Sequence, residues 1–328
     1  MINRFVIIPL GFLLSLLIVF VLLQKNELSS FSDVSRTIGE KPTIIISNFF
    51  FHVWNSDVSM AHLKAEKLEA RGESKLENLS FLQASGYYIL KDQRKITYRA
   101  QRAQINMNLN KINLYDGVEI SLQDSIYKSQ EAEFDKNKSI WKGHGKVEMV
   151  ALNQSNYNIE VKSHDLLIDL EKKKSLFSTN VSGSIENNKK KSEKLYFTGN
   201  HLAYDENKLN LELGDNTTLR LNDLRATSRK MSIWLNDQNK QLKYLTLNDD
   251  IFIKEKLFVE GEEIFRTAQA ETLEMNKEHE TIELKGSPSV SQGSNVVKGY
   301  RIIYYRGKDE LEVYESRASM NSAKKNDE

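Results

Sequence analysis

The chain has 328 residues, enough for one large domain or two ordinary ones, with 46 basic residues against 45 acidic. That balance supplies no net field to recruit nucleic acid or an anionic surface. No cysteine occurs, which excludes disulfide frameworks, thiolate zinc sites, thiol nucleophiles and a lipid anchor on cysteine.

The first element is "FVIIPLGFLLSLLIVFVLLQ", Phe5 to Gln24, which runs 20 residues without a charge. A helix of that length crosses a bilayer core of ~30 Å at ~1.5 Å per residue. Arg4 precedes it and favours a cytoplasmic amino terminus. A cleaved signal peptide would have an apolar region of about 7–15 residues and a small-residue cleavage site. The following "LLQKNELSS" offers no such site. Residues 1–25 therefore read as a single transmembrane helix, with the rest of the chain on the far side of the membrane. Residues 26–58 read as a connector, and its "TIIISNFFFHVW" enters the fold as the first strand.

From there the chain repeats itself. A small residue is followed three positions later by an apolar one at Ala65/Leu68, Ala100/Ala103, Ser129/Ala132, Ser163/Leu166, Gly199/Leu202, Ser228/Met231, Ala270/Leu273 and Gly299/Ile302. Two positions further on comes another apolar residue, such as Ile105, Phe134, Ile168, Tyr204 or Ile233. A step of two is strand geometry; a step of three is out of phase with it. One extra residue, a β-bulge, restores the phase, and a small residue beside it relieves crowding. Polar turns such as "DKNK" (135–138), "DENK" (205–208) and "NKEHE" (276–280) follow. The return strands show Ile112/Leu114, Leu211/Leu213, Ile282/Leu284 and Leu311/Val313, with Val118, Val147 and Val181 further along.

Two stretches, "SMAHLKAEKLEARGESKLENL" and "RTAQAETLEMNKEHETIEL", would pass for helices on propensity, but their fit to the repeat predicts strands. Eight units of two strands predict an all-β, antiparallel body of roughly sixteen strands, in two facing sheets with one row of apolar side chains between them. "SIENNKKKSEK", 184–194, marks either a break between two stacked halves or a long hairpin loop.

Signals of catalysis are missing. The six histidines have no metal-ligand spacing, and no P-loop or dinucleotide fingerprint occurs. "SHD", 163–165, holds the three triad residue types, but neighbours on a strand point to opposite faces and cannot form a relay. "KKK", 189–191, reads as a solvated loop. The chain is read as no enzyme, with no cofactor and no metal.

The units "YRAQRAQINMNLNKINLYDGVEI" and "YKSQEAEFDKNKSIWKGHGKVEM" resemble the periplasmic lipopolysaccharide-transport proteins of the LptC and LptA (OstA-like) type. The N-terminal helix looks like LptC, and "FTGNHLAYDENKLNLELGDNTTLRL" onward is similar to the LptA half. The resemblance implies an elongated, twisted β-jelly roll with a V-shaped groove. It divides the chain into an LptC-like groove over 59–186, an LptA-like groove over 187–317 and a polar tail over 318–328. It also implies a function: an inner-membrane protein with its bulk in the periplasm passes lipopolysaccharide from an ABC transporter toward the outer membrane. The acyl chains would lie between the sheets, and the end strands would pair with neighbouring proteins of the bridge; nucleic acid has no part in it. The positions expected to line the groove are Ile105, Met107, Leu114, Phe134, Ile168, Leu211, Ile233 and Met275. The same positions could simply fill a core. A dry envelope-spanning scaffold, or a carrier of another amphiphile such as phospholipid, stays open on the residues alone.

Overall fold

The computed structural model describes residues 43–53, 61–71, 78–90, 92–106, 111–152, 157–187, 194–236, 242–259, 262–308 and 310–319. The expected transmembrane helix and most of the connector lie outside them. Among the described residues no helix is long and apolar enough to cross a membrane; every regular element is a strand.

Fourteen strands follow one another in a meander: β1 (Thr43–Val53), β2 (Ala61–Arg71), β3 (Asn78–Ile89), β4 (Lys95–Asn106), β5 (Lys111–Leu122), β6 (Ser125–Asp135) and β7 (Ile140–Leu152), then β8 (Tyr157–Asp169), β9 (Lys174–Asn187), β10 (Lys194–Asp205), β11 (Asn210–Leu221), β12 (Leu224–Leu235), β13 (Leu242–Val259) and β14 (Glu262–Asn276). Each pairs antiparallel with the next. Six short strands complete the sheet: β15 (Thr281–Lys285), β16 (Ser289–Gln292), β17 (Asn295–Lys298), β18 (Arg301–Tyr305), β19 (Glu310–Tyr314) and β20 (Arg317–Ser319). β15 and β16 lie end to end along β14, β18 and β17 lie along them, and β19 and β20 form the last row. The six thus form three broken strands, so the sheet has seventeen rows where the repeat predicts about sixteen. The described residues of both helix-like stretches form strands, β2 and the start of β3 in one, β14 and β15 in the other. Pairing on two sides overrides their helix propensity.

The expected facing sheets are one continuous sheet with a crease. Along β6, burial falls on Ser125 and Tyr127, then on Ala132 and Phe134. The phase changes at Ser129–Gln130, where Gln130 stands opposite both Asp116 and Gly117 of β5. The same two-for-one bulge sits at Gly145–Lys146, Thr179–Asn180, Asp215–Asn216 and Asp249–Asp250 of the following odd-numbered strands. All ten residues have positive φ, from 48° at Lys146 to 81° at Gly117. Asp, Asn and Gly dominate them because they visit the left-handed region most readily. On the even-numbered strands the small residue of the repeat sits at the crease. There the hydroxyls of Ser129, Ser163 and Ser228 donate to the carbonyls of Glu131, Asp165 and Lys230 at 2.8, 2.9 and 2.9 Å.

The crease divides every strand into two arms. We call layer A the arms that end in the short turns at Gln123–Asp124, Asn222–Asp223 and Gly293–Ser294. Layer B holds the arms ending in the turns at 136–139, 170–173, 206–209 and 277–280. In the layer B turns a side-chain oxygen accepts from backbone N–H groups two or three residues on, as Asp135, Asp205 and Asn276 do.

The layers face each other with a stagger. Tyr88 of β3 meets Phe134 of β6 at 5.7 Å between ring centroids, and Tyr98 of β4 meets Trp141 of β7 at 6.2 Å. The Tyr127 hydroxyl of β6 lies 3.1 Å from Ser175 Oγ of β9. In each case layer A of one strand packs on layer B of the strand three places further on. Strand-to-strand twist of about 20–25° accounts for the offset, because it rotates the two arms of one strand away from each other.

Candidate lipid groove and its mouth

The inner face of the creased sheet is largely apolar, with isolated buried hydroxyls such as Ser125 and Ser175. Of the eight positions expected to line a groove, Ile105 is half-buried and Leu114, Phe134, Ile168, Leu211, Ile233 and Met275 are buried. Met107 lies outside the described residues. All seven described positions sit in layer B, because each lies a fixed distance beyond the crease or on the strand paired with it. The positions that face them are in layer A, among them Tyr98, Ile120, Tyr127, Met149, Val161 and Phe197. In the sequence only the valine run Val118, Val147 and Val181, whose arms cross to the other layer, points to them.

Side chains fill the space between the layers, in two different ways. Up to β10 the buried set includes Phe81, Tyr98, Tyr127, Phe134, Trp141, Phe177, Phe197 and Tyr204. Phe134 and Trp141 stack at 4.7 Å. From Leu209 to Ile303 every buried hydrophobic side chain is aliphatic or Met, with Ala226 and Ala268 among those of layer A.

The mouth, where the turns of the two layers approach, also differs along the sheet. Between β3 and β4, Arg94 of layer A is buried and donates to the carbonyl of Leu170 in a layer B turn. Leu90 and Leu170 are buried beside that contact. At β11–β12 the mouth instead opens into a cavity of about 250 Å³. Leu221 and Asn222 form its layer A side, and Met275, Asn276, Lys277, Glu280, Thr281 and Arg306 its layer B side. Its apolar part is Leu221 and Met275, and its charged part is the cations Lys277 and Arg306 with the carboxylate of Glu280.

The outer face carries charges in cross-strand pairs. At the crease His144 Nδ1 lies 2.9 Å from Asp165 Oδ1 and Thr179 Oγ1 lies 3.3 Å from Asp165 Oδ2. The His144 imidazole beside it holds the Asp165 carboxyl below the usual carboxylate range. So the aspartate of "SHD" finds its histidine on the neighbouring strand, while Ser163 turns to the backbone. Among the described residues no group of three or more His, Cys, Asp or Glu side chains is placed to hold a metal ion.

These features define a class: an open, creased antiparallel sheet with an apolar inner face and a mouth along its turns. Within it, residues 196–310, just over a third of the 328-residue chain, match the family described as LptA/(LptD N-terminal domain) LPS transport protein. The likeness read from "FTGNHLAYDENKLNLELGDNTTLRL" onward is thereby borne out over those residues. No curated protein matches the chain. Among solved structures, LptH from Pseudomonas aeruginosa, the LptA-homologous periplasmic component of its lipopolysaccharide transport device, aligns over 39% of this chain and 95% of its own. The identity is 9% and the TM-score 0.36, a likeness from which nothing further follows.

Proposed function

We propose that the chain is a lipid-binding component of lipopolysaccharide export, anchored in the inner membrane by Phe5–Gln24. It receives lipopolysaccharide from an ABC transporter and passes it toward the outer membrane along the inner face of the creased sheet. Residues 59–186 act as an LptC-like groove and 187–317 as an LptA-like one. The observation that carries this reading is the cavity at Leu221 and Met275. It sets the buried Leu221 and Met275 beside the charged Lys277, Glu280 and Arg306, with an aliphatic interior behind, within the stretch that matches the family. An amphiphile needs that combination, with its chains in the dry side and its charged head at the wet rim. Met231 and Met275 suit a seam that must part for a chain, because methionine is unbranched and repacks readily.

The open edges support the partner part of the proposal. Among the described residues β1 pairs only with β2, and β19 and β20 pair only with β18 and β17. Such edges present unpaired backbone groups for strand addition. The filled aromatic interior favours the second reading, a dry scaffold, for the first part of the chain.

Photo-crosslinkers at Ile233 and Met275 test the proposal. In cells they should capture lipopolysaccharide, while Glu133, on the outer face, stays silent. Capture from Glu133 alone would sink the carrier and leave the scaffold; capture of phospholipid in its place would change the cargo.

A further inference from the structure

Beside the mouth, β13 and β14 outrun their neighbours. β12 begins at Leu224, opposite Glu255, so Lys256–Val259 continue past it. β16 ends at Gln292, opposite Arg266, so Glu262–Phe265 continue past it on the other side. The projecting ribbon and the β11–β12 turn enclose a notch of about 330 Å³ on the outside of layer A. Asn222 lines both this notch and the mouth cavity, so the two adjoin.

The notch has an unusual charge pattern for this sheet. Arg220 stands directly opposite Arg225, and Arg225 directly opposite Lys254, in one row across three strands. Like charges placed directly opposite each other destabilise a sheet. Elsewhere on the outer face, cross-strand cations have carboxylates beside them, as in Arg99–Glu119 at 3.0 Å, Lys162–Glu148 at 3.2 Å and Lys194–Glu186 at 2.9 Å; where Lys285 stands opposite Arg301, both pair with Glu283. Among the described residues none of the three notch cations has a carboxylate in ion-pair reach, although Asp223 lines the same notch. A fourth cation, Lys256, is neutralised by Glu263 at 2.7 Å. Aromatic rings back the row: Arg220 lies over Tyr196 at 5.9 Å and Lys254 over Phe265 at 4.1 Å.

We propose that the Arg220–Arg225–Lys254 row is an anion site for the phosphate of an amphiphile whose chain enters at Leu221 and Met275. A single carboxylate would balance one of three charges. A phosphate offers up to two negative charges and several acceptor oxygens, and the guanidinium fork matches it in two-bonded geometry. Phe258 on the ribbon, 68% exposed, gives the apolar part of such a ligand a contact outside the sheet. The inference deepens the carrier reading, and rests on it for the source of the phosphate.

The test uses the full chain in mild detergent with three probes: bisphosphorylated lipid A, the same glycolipid after removal of its phosphates, and inorganic phosphate. The protein should bind the phosphorylated glycolipid about tenfold or more tightly than the dephosphorylated one, as charge-assisted bonds to phosphate require. In the triple variant Arg220→Gln/Arg225→Gln/Lys254→Gln that preference should vanish, with affinity for the dephosphorylated glycolipid unchanged. A preference that survives the triple substitution overturns the site. So does equal binding of both glycolipids by the unsubstituted protein, which would leave the carrier reading standing. If neither glycolipid binds but inorganic phosphate does, and the variant abolishes it, the site stands and the carrier reading falls. Binding of none of the three removes both.

Discussion

The interior up to β10 and the interior beyond it are built on the same crease, register and stagger, yet are filled differently. The first is locked by rings: Tyr88, Phe134, Trp141 and Tyr98 form a chain of contacts across the two layers. Its mouth is shut by Arg94. The second holds aliphatic side chains and two buried methionines, and its mouth opens at Leu221 and Met275. Rings have few rotamers and interlock, whereas Leu, Ile and Met can shift to admit a chain. One fold thus supplies a stiff segment and a yielding one, and the family match covers β10 and then the yielding one as far as residue 310.

The largest expected effect breaks the stiff segment. Trp141→Ala removes a fully buried ring from the centre of the aromatic chain and should cost about 3–5 kcal/mol, read by urea unfolding. Trp141→Phe should cost clearly less. It keeps a ring against Phe134 and Tyr98, and it removes an indole N–H that has no hydrogen-bond partner. A smaller effect is expected at the latch. Arg94→Ala deletes the bond to Leu170 and the ion pair to Asp92 at 2.6 Å, and should cost about 1–3 kcal/mol. If the latch is what separates the halves, a photo-crosslinker at Phe134 should capture more lipid in that variant than in the unsubstituted protein. Equal capture in the two would erase the distinction between the halves.

Much of this fold is legible in the sequence because one local event recurs. The small residue with an apolar partner three positions on marks the crease in each even-numbered strand from β2 to β14. The Asp, Asn and Gly residues of the odd-numbered strands supply the matching left-handed pairs. What cannot be read locally depends on the stagger. The mouth joins Leu221 to Met275, which meet only because layer A packs on layer B three strands away, and Arg306 reaches them through the turn after β18, where its N–H donates to the Glu280 carbonyl. The aligned charges of Arg220, Arg225 and Lys254 need the exact ladder register, as does the pairing of His144 with Asp165. The three broken strands at the end arise where "GSP", 286–288, interrupts β15 and β16, a proline effect that the repeat hides.

Alkaline pH should weaken the stiff segment further. Burial pushes the phenols of Tyr98, Tyr127 and Tyr204 well above the ordinary tyrosine range. Their folded pKa values lie above the unfolded value, so their contribution is complete below about pH 10 and is lost as pH rises beyond it. Each such phenol should steepen the decline by up to about 1.4 kcal/mol per pH unit. In Tyr127→Phe the starting stability should fall by about 1 kcal/mol, because Ser175 loses its partner, but the alkaline slope should be shallower. An unchanged slope would mean that Tyr127 ionises as freely folded as unfolded, and so that water reaches the stiff interior.

The smallest effect sharpens the other side of the comparison. Arg225 has a cation directly opposite it on both flanking strands, so Arg225→Gln relieves repulsion rather than breaking a contact. Cross-strand charge terms are worth about 0.2–1 kcal/mol, which in a domain of this size raises the melting temperature by at most about 3 °C. High salt should shrink the gain, because it already screens exposed charges separated by about a strand spacing. Lys194→Gln is the control: Lys194 faces Glu186, so its loss should lower stability slightly or leave it unchanged. Opposite signs at these two lysine- and arginine-bearing positions would show that the row beside the mouth is kept at a cost to folding, as a surface shaped by a ligand would be. Equal signs would make the row an accident of register.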